Sequence, residues 1–329
     1  MTALYRSETI LVIRLGAMGD VLHALPAVAS LKMSFPDKKL VWLVARRWMP
    51  LMEGNPYIDE LIPFERTGAP AVFDVWRKIR QLEPELAVDL QGLVQSALAG
   101  RMSRPKQFYG FDRTVARERL AAALYTKRVH VTGPHRIERN LQLVAATGAT
   151  RFSEDSWIPQ GSPEGTLPNT AYILASPFAG WRSKEWPLEF YDRLGRCLKE
   201  AGLRLIINVP SERAREVQSL KNVTSHTSSL PGLIHASRRA SAIVGVDSGP
   251  LHLAAALGKP GVALFGPTDP AQTGPFKSPM VVLRGESAQT TYKRAREIHS
   301  SMVAISPEQV CQAILRSLAD VRQAAEAAV

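Results

Sequence analysis

The sequence is poor in cysteine and has no long apolar run. Only two of its 329 residues are cysteines, Cys197 and Cys311, and their wide separation fits no metal site and favours a reducing compartment. No apolar run reaches the ~18 residues that a membrane-spanning helix needs. The N-terminal residues 1–8 lack the apolar core of a secretion signal. We therefore expect a cytoplasmic protein without a membrane span.

The common nucleotide-binding motifs are also missing. An apolar run leads into the loop Gly16-Ala-Met-Gly19, which is not G-x-G-x-x-G and is not followed by G-K-[ST]. An NAD-dependent oxidoreductase is therefore disfavoured. Asp20 follows the loop at a helix start, where a carboxylate would repel a phosphate, and the local sequence favours a helix N-cap at this residue. His23, one turn later, is equally consistent with a packed helix residue.

The net charge of +11 favours an anionic partner, which could be nucleic acid, an anionic membrane face or a phosphorylated substrate. Residues 101–140 hold ten Lys or Arg against three acids, and a solvated surface is the simplest interpretation of such a stretch. A non-catalytic nucleic-acid binder remains an alternative. The basic residues show no interleaved aromatics and no recognised module, so we expect no nucleic acid as partner.

Short β-branched runs alternate with helical patterns, which is typical of parallel sheets covered by helices on both faces. Strands are predicted at 9–15, 39–45, 86–91, 107–111, 171–176, 203–209, 242–247 and 261–265. Helices are predicted at 20–34, 70–82, 93–103, 187–201, 211–220, 231–240 and 250–257. The Ser-, Pro- and Gly-rich segment 153–170 separates two series. We predict an α/β protein of two doubly wound domains, 1–160 and 161–329, with a last helix from Pro307 that packs back on the first domain.

Four loops of the second half follow predicted strands, where ligands of such sheets bind. "SPFAGWRSKEWP" (176–187) places Lys184 before a helix, an arrangement that suits a phosphate. "VDSGPLHLAAALGKP" (246–260) ends a strand at Asp247 and puts His252 in the first helical turn, where plain packing is the alternative. "VPSERAR" and "LFGPTDP" follow the other two strands. Together these loops indicate a binding cleft.

Five stretches resemble glycosyltransferase family 9, the ADP-heptose:lipopolysaccharide heptosyltransferases, most closely their heptosyltransferase I branch. They are "RLGAMGDVLHALPA", "DLQGLVQSALAGR", "SKEWP", "VGVDSGPLHLAAALGKP" and "LFGPTDP", in the family's order and spacing. The resemblance runs from about residue 9 to about residue 312. It implies a GT-B fold, in which two Rossmann-like domains face a central cleft, and inverting transfer of a heptose from ADP-heptose to Kdo. Transfer to another core or glycan acceptor, as in heptosyltransferase II, is the alternative.

The resemblance implies that the N-terminal loop faces the acceptor and that Asp20 is the general base. The donor would meet the second domain, with Lys184 at the diphosphate, Glu212 at the nucleoside and Asp247 at the sugar. The other residues implied for the donor are Ala179, Gly180, Ser228, Ser248, Gly249 and His252. Relatives carry hydroxyl residues at the positions of Ala179 and Gly180, so only backbone N–H contacts are expected there.

The acceptor that the resemblance implies is Kdo-lipid A or a similar anionic glycolipid at the inner face of the cytoplasmic membrane, bound peripherally by a monomer. Arg117 aligns with an arginine that contacts this acceptor, and the other implied acceptor residues are Gly19, His23, Arg113 and Arg136, with Arg119 and His135 as neighbours. No D-x-D is present, so we expect no metal and no cofactor, with ADP-heptose as substrate. Residues 287–302 lack the cysteines that many relatives have there, which excludes a thiol role for this stretch.

Overall fold

The structure is a computed structural model that describes residues 9–65, 69–286, 288–291 and 293–327. The prediction that residues 1–8 hold no secretion signal lies outside the described residues, as do Ser287 and Tyr292 of the stretch 287–302. The chain divides after Pro159 into two compact units. No helix among the described residues is both long enough and apolar enough to cross a membrane.

The first unit is built on a six-stranded parallel sheet in the order β3-β2-β1-β4-β5-β6. Its strands are β1 Thr9–Ile13, β2 Lys39–Ala45, β3 Glu60–Phe64, β4 Leu86–Asp89, β5 Gln107–Phe111 and β6 Lys127–Val129. Its helices are α1 Met18–Leu22, α2 Leu25–Ser34, α3 Ala69–Leu82, α4 Val94–Met102 and α5 Arg136–Ala145, with 3-10 turns at Arg46–Leu51 and Arg119–Leu124. The central strands are apolar and fully buried, as expected for a sheet covered on both faces.

The second unit repeats this topology with a sheet in the order β12-β11-β10-β7-β8-β9, all parallel. Its strands are β7 Tyr172–Ser176, β8 Arg204–Asn208, β9 Thr224–His226, β10 Ala242–Val246, β11 Gly261–Phe265 and β12 Met280–Arg284. Its helices are α6 Leu188–Glu200, α7 Leu230–Arg239, α8 Gly249–Ala256, α9 Pro270–Thr273, α10 Ser300–Val303 and α11 Pro307–Ala327, with 3-10 turns at Arg182–Lys184 and Ser211–Val217.

Each sheet has one point where the strand order reverses, between β1 and β4 in the first unit and between β7 and β10 in the second. Ligands of doubly wound sheets bind in the crevice outside the carboxyl ends of the two strands at this point. The loops that follow β1, β4, β7 and β10 are therefore the candidates for chemistry. Asp20 follows β1, and Asp247 follows β10.

The sequence predicts all eight central strands and none of the four edge strands β3, β6, β9 and β12. Edge strands need no continuous apolar run, because one of their sides is unpaired. β6 is Lys-Arg-Val with two exposed residues, and β9 is Thr-Ser-His with two exposed residues. β3 contains Pro63, which a sheet tolerates at an edge because proline lacks the N–H that a ladder needs.

Two predicted helices differ from the structure. The predicted helix 20–34 is two helices, because α1 ends at Leu22 and α2 begins at Leu25 with Pro26 in its first turn. The segment predicted as a helix at 211–220 is a 3-10 turn that ends at Val217.

The segment 153–170 is bound to the body of the protein on both sides of Pro159. The Ser153 N–H donates to Ser30 Oγ in the first unit at 3.0 Å. In the second unit, Ser229 donates to Glu164 from its N–H at 2.7 Å and from its hydroxyl at 2.5 Å. The part of this segment before Pro159 is therefore bound to the first unit, and the part after it to the second.

Helix α11 packs within the second unit. Val310, Cys311 and Ile314 are fully buried in the core beneath β11 and α6. Cys197 of α6 and Cys311 form a disulfide with a Cα–Cα distance of 6.5 Å. The reduced state that the sequence favours is therefore not the state seen, because the fold brings together two cysteines 114 residues apart in sequence.

Candidate functional site

Asp20 is the third residue of α1 and does not cap it. The N-cap is Ala17, which makes no side-chain cap hydrogen bond. The N-cap role that the local sequence favours is therefore wrong, because the helix begins two residues earlier at Met18. The carboxylate, 12% exposed, instead contacts arginines from three different elements.

The three arginines surround both oxygens of Asp20. Arg14, directly after β1, places Nη2 2.8 Å from Oδ1. Arg136, the first residue of α5, places Nη1 2.5 Å from Oδ1. Arg117, in the loop after β5, places Nη1 3.2 Å from Oδ2. Three residues far apart in sequence thus meet on one carboxylate.

Burial alone would raise the pKa of Asp20, but Arg14, Arg136 and Arg117 outweigh it and hold the pKa of this carboxyl well below its usual range. His23 acts in the same direction with a smaller effect. Three guanidinium groups contact the one carboxylate of Asp20, and the other acid that acts on this cluster within the described residues, Asp89, does so through Arg14. The arginines are therefore in excess, and an anionic ligand would complete the charge balance.

Arg14 was missed by the sequence analysis, which assigned it only to a strand. It is 5% exposed and donates from Nη1 to the Leu90 carbonyl in the loop after β4. Burial lowers the pKa of its guanidinium, and the charges of Arg136 and Arg117 lower it further, while Asp20 opposes this. The signal was present in the sequence: Arg14 is the one charged residue in an apolar run that ends at a strand's carboxyl end.

The "DLQGLVQS" motif builds the other wall of this switch point. The buried Asp89 accepts from the Gln91 N–H at 2.8 Å, the Ser96 hydroxyl at 2.8 Å and the Tyr125 hydroxyl at 2.7 Å. Gln91 Oε1 in turn accepts from the Leu15 N–H at 2.6 Å. Burial raises the pKa of Asp89, against these hydrogen bonds. The motif therefore ties the loop after β4 to the loop after β1.

Of the other predicted acceptor residues, His23 and His135 pack ring to edge at 5.3 Å, and the His23 carbonyl accepts from Asn140. Gly19 is buried in α1. Arg113 and Arg119 are exposed and lie outside the cluster on Asp20. The sequence thus named two of the three arginines that the fold brings to Asp20.

Gly16 is required by a close approach. Its φ is +154°, and a Cβ at this position would lie 2.7 Å from Nε1 of Trp48. Trp48 belongs to the 3-10 turn that follows β2, and the Arg47 guanidinium lies 4.7 Å from its ring centre. A residue with a side chain in place of Gly16 would push this turn away from α1.

The second switch point also centres on an aspartate. Lys184 Nζ lies 3.1 Å from Asp247 Oδ2 and donates to the Asp247 carbonyl at 2.6 Å. His252 Nε2 lies 3.3 Å from Oδ1. Burial would raise the pKa of Asp247, but the hydrogen bond from His252 and the charge of Lys184 hold it well below its usual range. His252 is thus more than a packed helix residue.

The loop after β7 is held by a buried ion pair that the sequence analysis did not find. Glu185, 6% exposed, accepts from two nitrogens of Arg213 at 2.6 and 3.2 Å. The same carboxylate accepts from the Ala179 N–H at 3.2 Å. The backbone N–H of Ala179, which was expected to contact the donor, therefore donates within the loop in this structure. A Cβ at Gly180 would lie in open space.

Three buried hydroxyls on loops of the second unit have no hydrogen-bond partner within the described part of the chain. They belong to Ser183 after β7, Ser248 after β10 and Thr268 after β11, and these residues are 2%, 8% and 4% exposed. A buried hydroxyl without a partner costs about 1–3 kcal/mol. Hydroxyls in this state, on the loops of three neighbouring strands, fit a polar ligand. Ser183 and Thr268 were not named from the sequence.

The remaining predicted donor residues lie on loops of the same unit. Gly249 begins α8 directly after Ser248. Glu212 is exposed in the 3-10 turn after β8. Ser228 lies between β9 and α7, and its hydroxyl has no partner among the described residues. No group of three or more His, Cys, Asp or Glu that could hold a metal ion is found in the residues that the structure describes.

The two sheets, each with a charged cluster at its switch point, place the protein among the GT-B enzymes by structural likeness. The structure titled "E. coli heptosyltransferase WaaC with ADP" has a TM-score of 0.74 and 25% identity, covering 94% of this chain and 99% of that one. E. coli ADP-heptose lps heptosyltransferase II has the same fold, with a TM-score of 0.76 at 22% identity, covering 95% of this chain and 99% of that one.

Sequence comparison identifies the family. The profile of glycosyltransferase family 9 (heptosyltransferase) matches residues 72–301, and the chain belongs to this family. Lipopolysaccharide heptosyltransferase 1 of Pseudomonas aeruginosa is 30% identical over 81% of this chain and 81% of its own length. The protein of the same name from Escherichia coli K12 is 29% identical over 84% and 93%. The protein is therefore a glycosyltransferase, which removes the oxidoreductase and the non-catalytic nucleic-acid binder as alternatives.

Proposed function

We propose that the protein transfers a heptose from ADP-heptose to Kdo of the lipopolysaccharide inner core, as a transferase of the heptosyltransferase I type. The observation that carries this proposal is the excess of cations on Asp20, because an acceptor that is itself a sugar acid would supply the missing negative charge. The names of the relatives from P. aeruginosa and E. coli support the same assignment.

The acceptor would bind at the first switch point. Arg117 and Arg136 are 48% and 33% exposed, so both can donate to a carboxylate or phosphate without leaving the protein surface. Asp20 is then close to the hydroxyl that attacks. The basic stretch 101–140 would hold the acceptor at the inner face of the cytoplasmic membrane by peripheral, salt-sensitive contacts.

The donor would bind at the second switch point. A lysine at a helix N-terminus supports binding of a diphosphate, and Lys184 contacts Asp247 two residues before α8. The hydroxyls of Ser183, Ser248 and Thr268 lack partners in the described residues, which also supports a polar ligand. The relative WaaC has been solved with ADP, which supports an adenine nucleotide as the donor's leaving group.

In the proposed reaction Asp20 takes the proton of the acceptor hydroxyl as that oxygen attacks the anomeric carbon from the face opposite ADP. General-base help of this kind is worth ~10²–10⁴-fold. The departing ADP gains negative charge, which Lys184 and the N-terminus of α8 would stabilise without a metal ion.

The test is to incubate the protein with ADP-heptose and, in separate reactions, Kdo-lipid A and a once-heptosylated core, and to detect the product by mass spectrometry. We expect one heptose to be added to Kdo-lipid A only. Addition to the once-heptosylated core alone would assign the heptosyltransferase II type instead. No transfer to either acceptor would reject the proposal, provided that ADP binding shows the protein to be folded.

A further inference from the structure

The two oxygens of Asp20 are held unequally. Oδ1 contacts two guanidinium groups, Arg14 at 2.8 Å and Arg136 at 2.5 Å. Oδ2 accepts a hydrogen bond from Arg117 at 3.2 Å, which is the longest of the three contacts. Oδ2 is therefore the oxygen that a single change of partner can free.

The arginines also differ in their freedom to move. The Arg14 side chain is 6% exposed, and its guanidinium bridges Asp20 and the Leu90 carbonyl. Moving it would take the buried guanidinium away from both of its partners and leave the Leu90 carbonyl without this donor, which is strongly unfavourable. The Arg117 side chain is 48% exposed, and its one side-chain hydrogen bond within the described residues is to Asp20. It can turn to a ligand at little cost, because its guanidinium is half exposed and Asp20 keeps two other arginine partners.

We propose that Arg14 is a positioning residue that keeps Asp20 oriented through Oδ1, and that Arg117 is an exchangeable partner of Oδ2. An anionic group of the acceptor takes Arg117 and thereby frees Oδ2 to accept the proton. This inference rests on the proposed function, because it concerns the activation of the same base.

The exchange gives the reaction an order. The acceptor's O–H bond breaks as its proton passes to Oδ2, the acceptor oxygen bonds to the anomeric carbon, and the bond from that carbon to ADP breaks with its electron pair leaving on the phosphate oxygen. Without an acceptor anion, Oδ2 stays paired with Arg117 and accepts protons poorly. Water that enters the empty acceptor site therefore meets an inactive base.

The charged groups facing Asp20 come from each element around it: Arg14 at the end of β1, Arg117 after β5, Arg136 on α5 and His23 after α1, with Asp89 of β4 acting on Arg14. These cations hold the pKa of Asp20 well below its usual range. Neutralising Arg117 with an acceptor anion must raise that pKa, since an opposite charge is removed from the carboxylate. By linkage, the anion must then bind with uptake of protons at mildly acidic pH.

The experiment measures proton uptake directly. Kdo is titrated into the protein by calorimetry in two buffers of different ionisation enthalpy, between pH 4.5 and 6. A carboxyl of ordinary pKa would take up roughly 0.2 of a proton at pH 4.5 and less towards pH 6. Because Arg14 and Arg136 stay on Oδ1, we expect a measurable uptake below that limit, largest at pH 4.5. Asp20→Asn should bind Kdo with no such uptake. Arg77→Gln, an exposed arginine of α3 in the same unit, is the control that should match the parent.

Arg117→Gln tests the exchange. Oδ2 has lost its cation before Kdo arrives, so uptake should fall to less than half of the parent's while Kdo affinity drops about tenfold. Parental uptake in Arg117→Gln, or no uptake and no Kdo binding in the parent, would overturn the inference. Because this measurement needs no donor, it is independent of the transfer assay. Heptose transfer without proton uptake would reject only the exchange of Arg117. Proton uptake without heptose transfer would reject only the proposed function.

Arg14 is tested by separating kcat from KM. Arg14→Lys keeps the charge but cannot contact both Oδ1 and the Leu90 carbonyl, so kcat should fall about tenfold with the acceptor KM nearly unchanged. Arg14→Met should lose at least tenfold more, and the acid limb of its kcat profile should move to higher pH. An equal rise of KM in both variants with kcat preserved would show that Arg14 binds the acceptor rather than orients the base.

Discussion

The two units share one strand order, and each places a buried aspartate at the point where that order reverses, but the surroundings of the two aspartates differ. Asp20 meets three arginines, whereas Asp247 meets one lysine and one histidine. The first cluster has surplus positive charge even when its carboxylate is ionised. The second is nearly balanced within itself.

The difference shows how one topology serves two kinds of ligand. A surplus of guanidinium groups favours the binding of an anion. It also keeps the carboxylate ionised beside the bound anion. In the second cluster, Lys184 already has a partner in Asp247, so a diphosphate must share or displace it. The hydroxyls of Ser183, Ser248 and Thr268 offer the second ligand additional polar contacts.

The largest expected effect separates the two aspartates. Asp20→Asn should lower turnover by at least ~10²-fold, because the amide cannot accept the proton, while ADP binds with parental affinity. Asp247→Asn should show the reverse pattern, with weaker ADP-heptose binding as its main defect. Steady-state kinetics with calorimetry checks both. Turnover near that of the parent in Asp20→Asn would place the base elsewhere.

The next effect concerns the lysine. Lys184→Ala should weaken ADP binding by roughly 10–100-fold, since a charge-assisted contact to phosphate is worth about 1.5–3 kcal/mol. The matched control is Lys199→Ala on the exposed face of α6, which should bind ADP as the parent does. ADP affinities are measured by calorimetry. Equal affinities for the parent and Lys184→Ala would show that the phosphates of ADP do not bind at Lys184.

A smaller effect on the acceptor KM should distinguish the arginines of the stretch 101–140 that contact Asp20 from those that do not. Arg117→Ala and Arg136→Ala should each raise the acceptor KM about tenfold and flatten its salt dependence, because a guanidinium at the anion is lost. Replacing Arg113 and Arg119 together, which lie outside the cluster, should change KM by no more than about twofold. If the second pair matters as much as the first, the acceptor binds to the whole basic face rather than to the cluster.

The smallest effect is on stability. The folded-state pKa values of Asp20 and Asp247 are depressed, so each carboxylate stabilises the fold above its unfolded pKa near 4 and loses this contribution as pH falls through the folded value. Asp247→Asn should therefore be less stable than the parent at pH 7, and the gap should narrow below pH 4. Urea unfolding at both pH values measures it. A gap independent of pH would show that packing, not charge, causes the loss.

The parts of this protein that can be predicted from the sequence are those marked by a strong local pattern of apolar residues. The central strands are continuous apolar runs, and Asp20, Lys184 and Asp247 stand in the segments that follow such runs. The edge strands carry too few buried residues to form a pattern; β6, for example, has three residues and two of them are exposed. Their existence follows from pairing with β5 or its counterparts, which is tertiary information.

The partners of the site residues were harder to predict for the same reason. Arg14 and Asp20 are six residues apart, yet Arg117 and Arg136 reach Asp20 across about a hundred residues of chain. Glu185 and Arg213 come from loops after different strands. A sequence shows which side chains are charged, but the sheet decides which of them meet, and only their meeting sets the proton affinity of each aspartate.

The disulfide between Cys197 and Cys311 makes much of the second unit a covalent ring. The ring contains every strand from β8 to β12 and therefore Asp247 and Thr268, whereas β7 and Lys184 lie outside it. In the chain-entropy account, a crosslink of this span lowers the entropy of the unfolded chain and so raises the free energy of unfolding by about 4–5 kcal/mol. The ion pair between Lys184 and Asp247 thus joins the ring to the chain that enters it, and a reductant would lower the stability of the whole unit that holds both residues.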